Sequence, residues 1–202
     1  MTVDKFDLSK ITIERHILAD EEINPEEYKR YRITESGISP RALPGQTRAL
    51  VINDSHEHRE DGHITEDAQI RTKMVLKRLR KLEGTKAEIK PPTTYGPENA
   101  EVMFVGWGTT YGSIREAVDI LNGDGMNVSM MHLSEIWPFP AEAVSDILKK
   151  AQKIFAVEGN ATAQLAHLIR AETGVEISGK ILKFDGRPFS PGYIVRAVKE
   201  EG

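Results

Sequence analysis
E-V-M-F-V (Glu101 to Val105) runs straight into G-W-G-T-T (Gly106 to Thr110), and then into Gly112 to Asn122 with Ile114, Ala117, Val118 and Leu121 at helical spacing. An unbroken apolar run, a glycine-punctuated turn and an amphipathic helix read as a buried strand feeding a crossover. The pattern repeats downstream. Met126 to Leu133 is a second strand, and Pro140 opens a helix, in the first-turn position that suits proline, presenting Val144, Ile147, Leu148 and Ala151. Lys153 to Val157 is a third strand, after which Asn160 caps a helix with Leu165, Leu168 and Ile169 inward. Lys180 to Phe184 and a last helix from Ser190-Pro191, carrying Ile194, Val195 and Val198, complete the series. Strands joined by helices of this length predict an α/β fold: a three-layer α-β-α sandwich around a mostly parallel sheet, with right-handed connections.

Upstream the signals change. Pro91-Pro92 opens a linker that runs to Pro97, and before it a helix is expected from Thr65, with Glu66 and Asp67 in its first turn. Ile70, Met74, Leu79 and Leu82 form its stripe, Lys77, Arg78, Arg80 and Lys81 lie towards its end, and Gly84 closes it. R-A-L-V-I-N (Arg48 to Asn53) reads as a further buried strand. Residues 1–46 show no sustained period beyond a possible helical turn over Pro25 to Arg30. Within them Y-R-I-T-E-S-G-I-S-P-R-A-L-P-G (Tyr31 to Gly45) is dense in proline, glycine and arginine, which predicts an extended N-terminal arm shaped by turns and lying on another domain. The expected organisation is an arm or interdomain connector over 1–46 and an α/β domain over 47–202.

Composition narrows the function classes. With 202 residues, 39% of them hydrophobic, the chain can bury a proper core. A formal charge of -4 leaves no basic surplus for a nucleic-acid partner. The absence of cysteine excludes disulfides, thiolate zinc sites, iron-sulfur ligation and cysteine nucleophiles from this chain. Met1 to Asp20 holds no signal-peptide core and no stretch reaches the length of a membrane span, so a cytoplasmic protein without a membrane partner is expected.

In a sheet of this kind the crevice lies at the carboxyl ends of the strands. Those ends are Gly106 to Thr110, S-E-I-W-P (Ser134 to Pro138) and Glu158-Gly159-Asn160. Trp107 and Trp137 suit an interface or a ligand wall. Glu158 could act as a general base, although a carboxylate there more often accepts backbone N–H groups, and Asn160 lies beside it. Gly106-x-Gly108 invites a phosphate. The spacing departs from the dinucleotide pattern, because the third glycine is Gly112 and Met131-His132-Leu133 ends the second strand without an acid. A tight turn that lets backbone pack closely is the preferred reading; a stand-alone nucleotide-binding module is the alternative. D-S-H-E-H-R-E-D-G-H (Asp54 to His63) offers His56, His58 and His63 as nitrogen donors, so a metal-dependent hydrolase is a further alternative to a solvated docking loop. No nucleophile elbow, phosphate-binding lysine loop or paired acid motif is present. The interface or crevice candidates are Arg41, His56, Glu57, Trp107, Trp137, Glu158 and Asn160, and no catalytic, cofactor-binding or metal residue is assigned.

Several motifs taken in order are more specific than any of these. Y-K-R-Y-R-I-T-E-S-G-I-S-P-R-A-L-P-G (Tyr28 to Gly45), S-H-E-H-R-E-D-G-H-I-T-E-D (Ser55 to Asp67), M-V-L-K-R-L-R-K-L (Met74 to Leu82), V-G-W-G-T-T-Y-G (Val105 to Gly112), W-P-F-P (Trp137 to Pro140), V-E-G-N-A-T-A-Q-L (Val157 to Leu165) and D-G-R-P-F (Asp185 to Phe189) are all present. Together, from about Glu14 onward, they resemble the C-terminal part of the alpha subunit of 2-oxoacid:ferredoxin oxidoreductases, closest to the 2-oxoglutarate type. The resemblance implies a transketolase-C-like domain in an enzyme that oxidatively decarboxylates a 2-oxoacid to an acyl-CoA and passes electrons to ferredoxin. Thiamine diphosphate, magnesium and an iron-sulfur cluster are implied for the complete complex and none for this chain. The implied partners are the rest of the alpha subunit and the beta subunit, with ferredoxin and CoA met only through the complex. The chain lacks the Y-P-I-T-P type of substrate motif, so it resembles a fragment of the subunit or the product of a split gene, inactive alone. Ala163 stands where the family usually has glycine. No catalytic residue of the family maps onto these positions.

Overall fold
The computed structural model describes residues 7–12 and 15–201; the first residues of the expected arm, Glu14 included, lie outside them. The backbone divides into two compact units, one ending at Glu88 and the other starting at Ile89. The unit ending at Glu88 takes in both the stretch read as an arm and the helix after it.

The unit from Ile89 is the expected α/β sandwich. Its strands β1 (Thr93–Tyr95), β2 (Val102–Trp107), β3 (Val128–Leu133), β4 (Lys153–Glu158) and β5 (Gly179–Leu182) form one sheet in the order β1-β3-β2-β4-β5. β2, β3, β4 and β5 are mutually parallel, whereas β1 pairs antiparallel with β3 through Thr93↔His132, Thr94↔Met131 and Tyr95↔Met130. β1 occupies the segment expected to be linker, a correction that follows from its edge position. Three residues after Pro91-Pro92 carry no apolar run, and their pairing is supplied by β3.

Helices cover both faces. Numbering begins with α1 (Ala68–Lys86) of the other unit; this unit holds α2 (Tyr111–Gly123), α3 (Ala141–Leu148), α4 (Gln164–Thr173) and α5 (Pro191–Glu201). Because strand side chains alternate, Phe104, Met130 and Phe155 face Ile114, Leu121 and Ile194 of α2 and α5. Met103, Val105, Met131 and Ala156 face Val144, Leu148, Leu165 and Ile169 of α3 and α4. Burial on both faces explains why the parallel strands read as continuous apolar runs.

The unit ending at Glu88 has little regular structure besides α1 and a small apolar cluster of Ile23, Ala42 and Ala49 with Leu18, Tyr28 and Val51 against it. Arg48 to Asn53 is not a strand: it joins no sheet, and Leu50 is 66% exposed. An apolar run alone could not reveal that no strand among the described residues pairs with it. Polar ties hold the fold instead. Ala42 N–H donates to Tyr28 Oη at 2.9 Å, Ile33 N–H to Glu60 Oε1 at 2.8 Å and Tyr31 Oη to Asn53 Oδ1 at 2.9 Å. α1 starts at Ala68 instead of Thr65, because Asp67 is the cap, accepting from Gln69 and Ile70 N–H at 2.8 Å each. It runs past Gly84 to Lys86, and Met74 and Lys77 are its buried residues.

Candidate functional site
β2 and β4 are neighbours in the sheet, yet the loop after β2 leads to α2 on one face and the loop after β4 leads to α4 on the other. Loops that part in this way open a crevice at the strand ends. A cavity of about 780 Å³ lies there, lined by Trp107 at the end of β2 and Gly108 and Thr110 after it, Asn160 and Gln164 after β4, and Lys183, Arg187 and Phe189 after β5. The expected crevice, Trp107 and Asn160 therefore come together. Trp137, at the end of β3, is 60% exposed and does not line this cavity.

Glycine shapes the turn after β2. A Cβ on Gly106 would lie 2.3 Å from Ile114 Cδ1 and 2.6 Å from Thr110 Oγ1, so hydrogen at that position lets α2 pack against the strand. Gly108 follows at φ +57°. Its carbonyl accepts from His132 Nε2 at 3.0 Å, and His132 sits edge-on to Tyr111 with ring centroids 5.0 Å apart. Burial lowers the His132 pKa from the usual imidazole value, and the Gly108 carbonyl opposes this shift. His132 supports the Gly108 turn without lining the cavity, and the sequence did not single it out. Its only signal was an ionisable side chain inside a largely apolar strand.

Glu158 is fully buried at the end of β4. Its carboxylate accepts from Leu165 N–H at 2.8 Å, Ala166 N–H at 3.0 Å and Asn160 Nδ2 at 2.8 Å. It thus satisfies the free N–H groups at the start of α4 and complements the helix dipole. Asn160 Oδ1 accepts from Thr162 and Gln164 N–H at 3.1 and 3.2 Å, holding the loop before α4 in place. At the β5 side, Lys183 pairs with Asp185, whose carboxyl lies below the usual range because of that bond and the Arg187 N–H. The crevice offers amides, two cations and aromatic walls, and among the described residues it sets no nucleophile beside a base.

The other candidates lie in the unit ending at Glu88. His56 Nδ1 and its backbone N–H both meet Asp54 Oδ1 at 2.7 Å, and these bonds hold the Asp54 carboxyl low. His58 stacks on Tyr31 with centroids 3.7 Å apart, and His63 Nδ1 lies 3.4 Å from Asp61. The three imidazoles are committed to separate neighbours, and among the described residues no group of three or more His, Cys, Asp or Glu is placed to hold a metal ion. Glu57 forms a two-pronged ion pair with Arg78 at 2.8 and 3.1 Å, which pulls its pKa down. Arg41 lines a second, strongly basic cavity.

The fold and crevice define a doubly wound α/β domain whose one buried strand-end acid is consumed by its own backbone. Residues 100–194 match the family model described as pyruvate:ferredoxin oxidoreductase core domain II. The 2-oxoacid:ferredoxin oxidoreductase 1 alpha subunit of Sulfurisphaera tokodaii is 37% identical over 92% of this chain and 29% of its own length. The second such alpha subunit of Aeropyrum pernix is 35% identical over 97% of this chain and 30% of its own. The solved 2-oxoglutarate:ferredoxin oxidoreductase of Magnetococcus marinus, with 2-oxoglutarate, coenzyme A and succinyl-CoA bound, superposes with a TM-score of 0.74 at 35% identity, over 86% of this chain and 30% of that one. The chain belongs to the 2-oxoacid:ferredoxin oxidoreductase alpha-subunit family, and it spans about three-tenths of the length of these relatives. No helix among the described residues is long and apolar enough to cross a membrane.

Proposed function
We propose that this chain is a non-catalytic assembly segment of a 2-oxoacid:ferredoxin oxidoreductase, of the 2-oxoglutarate type, and that it works in the cytoplasm with the rest of the alpha subunit and with the beta subunit. The carrying observation is the match along nearly its whole length to a limited part of much longer alpha subunits. Site chemistry supports the reading. Glu158, the one buried acid at the strand ends, spends both oxygens on backbone and amide donors. The complete complex would take thiamine diphosphate, magnesium and an iron-sulfur cluster. With no cysteine here and no carboxylate or imidazole group fit for a metal among the described residues, other segments would hold them. Ferredoxin and CoA would act through the complex. In this reading Arg41, with its planar fork, and the loop bearing His56 and Glu57 face neighbouring segments.

Reconstitution tests this. The chain alone is expected to show no 2-oxoglutarate-dependent, CoA-dependent reduction of ferredoxin, and mixing with the remaining alpha segment and the beta subunit to restore it. His56→Ala, at a side chain 71% exposed, should weaken that assembly while leaving the chain's own melting temperature in place. Turnover by the chain unaided, or activity of the other segments without it, defeats the proposal.

A further inference from the structure
Lys77 is a lysine on α1 that is only 6% exposed, and it has no carboxylate partner among the described residues. Its ammonium donates to Ser39 Oγ and lies 5.8 Å from the centroid of the Tyr31 ring, over which Arg30 also sits at 4.9 Å. Ordinary surface lysines keep their heads in water, and buried ones are paired. Here the neighbours add to the problem. Burial lowers the Lys77 pKa, and Arg30, Lys81 and Arg78 lower it further, against an opposing Glu60.

These cations surround a cavity of about 360 Å³ lined by Arg15, Arg30, Arg41, Lys77, Arg78 and Lys81, with no carboxylate among the described residues of its wall. Arg78 alone of the six is in an ion pair among the described residues, with Glu57. The arrangement is built. At Gly37, φ +77°, a Cβ would fall 2.5 Å from the Lys77 carbonyl and 2.7 Å from Lys81 N, so the turn preceding Ser39 and Arg41 is seated directly on α1. A buried, under-partnered ammonium facing a basic cavity is unfavourable unless an anion completes it.

We propose that this cavity is a binding site for a phosphate-bearing anion, a phosphomonoester or diphosphate, with Lys77 at its floor and Arg30 and Arg41 on its walls. One carboxylate of a protein partner would bring a single negative charge to several uncompensated cations. A diphosphate brings two or three, with acceptor oxygens enough for both a lysine and bidentate arginines. Charge complementarity therefore favours the phosphate.

Calorimetric titration and thermal melts of the full chain, at constant ionic strength, would use inorganic phosphate, pyrophosphate and ADP in separate arms, with a poly-glutamate peptide as the carboxylate control. Saturable one-to-one binding of pyrophosphate or ADP with a raised melting midpoint is expected. Tighter binding of ADP would assign the diphosphate to a nucleotide-like ligand, and tighter binding of pyrophosphate to a free anion. Lys77→Met should weaken binding tenfold or more without lowering the ligand-free midpoint, because it removes a crowded buried charge. Arg30→Ala supplies a second variant with a smaller loss, should the first not fold. No saturable binding of any phosphate probe, equal binding by the wild type and both variants, or binding of poly-glutamate alone overturns the proposal. The readout uses this chain by itself, so a failed reconstitution of the oxidoreductase neither produces nor hides it.

Discussion

Ala163 occupies the left-handed region at φ +53° and ψ +54°, although it carries a methyl that is 1% exposed. For a non-glycine residue this conformation costs about 1–2 kcal/mol. Ala163→Gly would remove that strain, lose the burial of one methyl, about 0.8 kcal/mol, and release unfolded-state freedom of about 0.4–1 kcal/mol. The terms nearly cancel, so Ala163→Gly should shift stability by less than about 0.5 kcal/mol. Ala156, also fully buried but inside β4, has no such strain to relieve. There the same change should cost about 1.3–1.8 kcal/mol. Urea midpoints of the two variants check this, and equal losses would show that the left-handed turn is unstrained. At this scale the sequence was legible where chemistry is local. A-T-A-Q carries no sign of a positive φ, and the conformation became visible only in the structure, where it fits the glycine that the family usually has at this position. Glu158 followed the reading that favoured backbone capping over catalysis, since a carboxylate two residues before a helix-entry turn has unpaired N–H groups within reach.

The parallel strands and their helices were legible because each buries both faces or one continuous stripe, which writes a long apolar signal into the sequence. β1 and Arg48 to Asn53 were misread for complementary reasons. The first is a polar edge strand defined by its neighbour, and the second an apolar segment with no neighbour to pair with. β3 carries its own mark in His132, whose polar ring is held in the strand by the Gly108 carbonyl. Its pKa in the folded chain lies below the unfolded value, so its contribution to stability is complete above about pH 6.5 and is lost as pH falls through the folded pKa. His132→Gln keeps an N–H donor for Gly108 but does not titrate. From about pH 7.5 down to about pH 5 the wild type should therefore lose stability relative to this variant. Chemical denaturation at a series of pH values measures the difference, and parallel curves would remove His132 from the account.

The two units differ in what holds them. The unit from Ile89 encloses a sheet between two apolar clusters, whereas the unit ending at Glu88 has the small cluster of Ile23, Ala42 and Ala49 and relies on side-chain-to-backbone bonds and exposed ion pairs. Apolar burial stabilises by about 25 cal/mol per Å², while exposed ion pairs contribute about 0–1 kcal/mol each. Opening should therefore begin in the unit ending at Glu88. The sequence provides a clean reporter, because both tryptophans, Trp107 and Trp137, belong to the unit from Ile89. Denaturation followed by tryptophan fluorescence should have its midpoint at higher urea than denaturation followed by far-ultraviolet circular dichroism, which also records the loss of α1. Limited proteolysis should cut first before Ile89 and leave the α/β unit intact. Coincident midpoints with both probes would mean that the chain unfolds in one cooperative step, and that the basic cavity and small cluster contribute more than their contacts suggest. An anion bound over Lys77 would narrow the gap between the two midpoints from the lower side, since a ligand stabilises the unit that holds it.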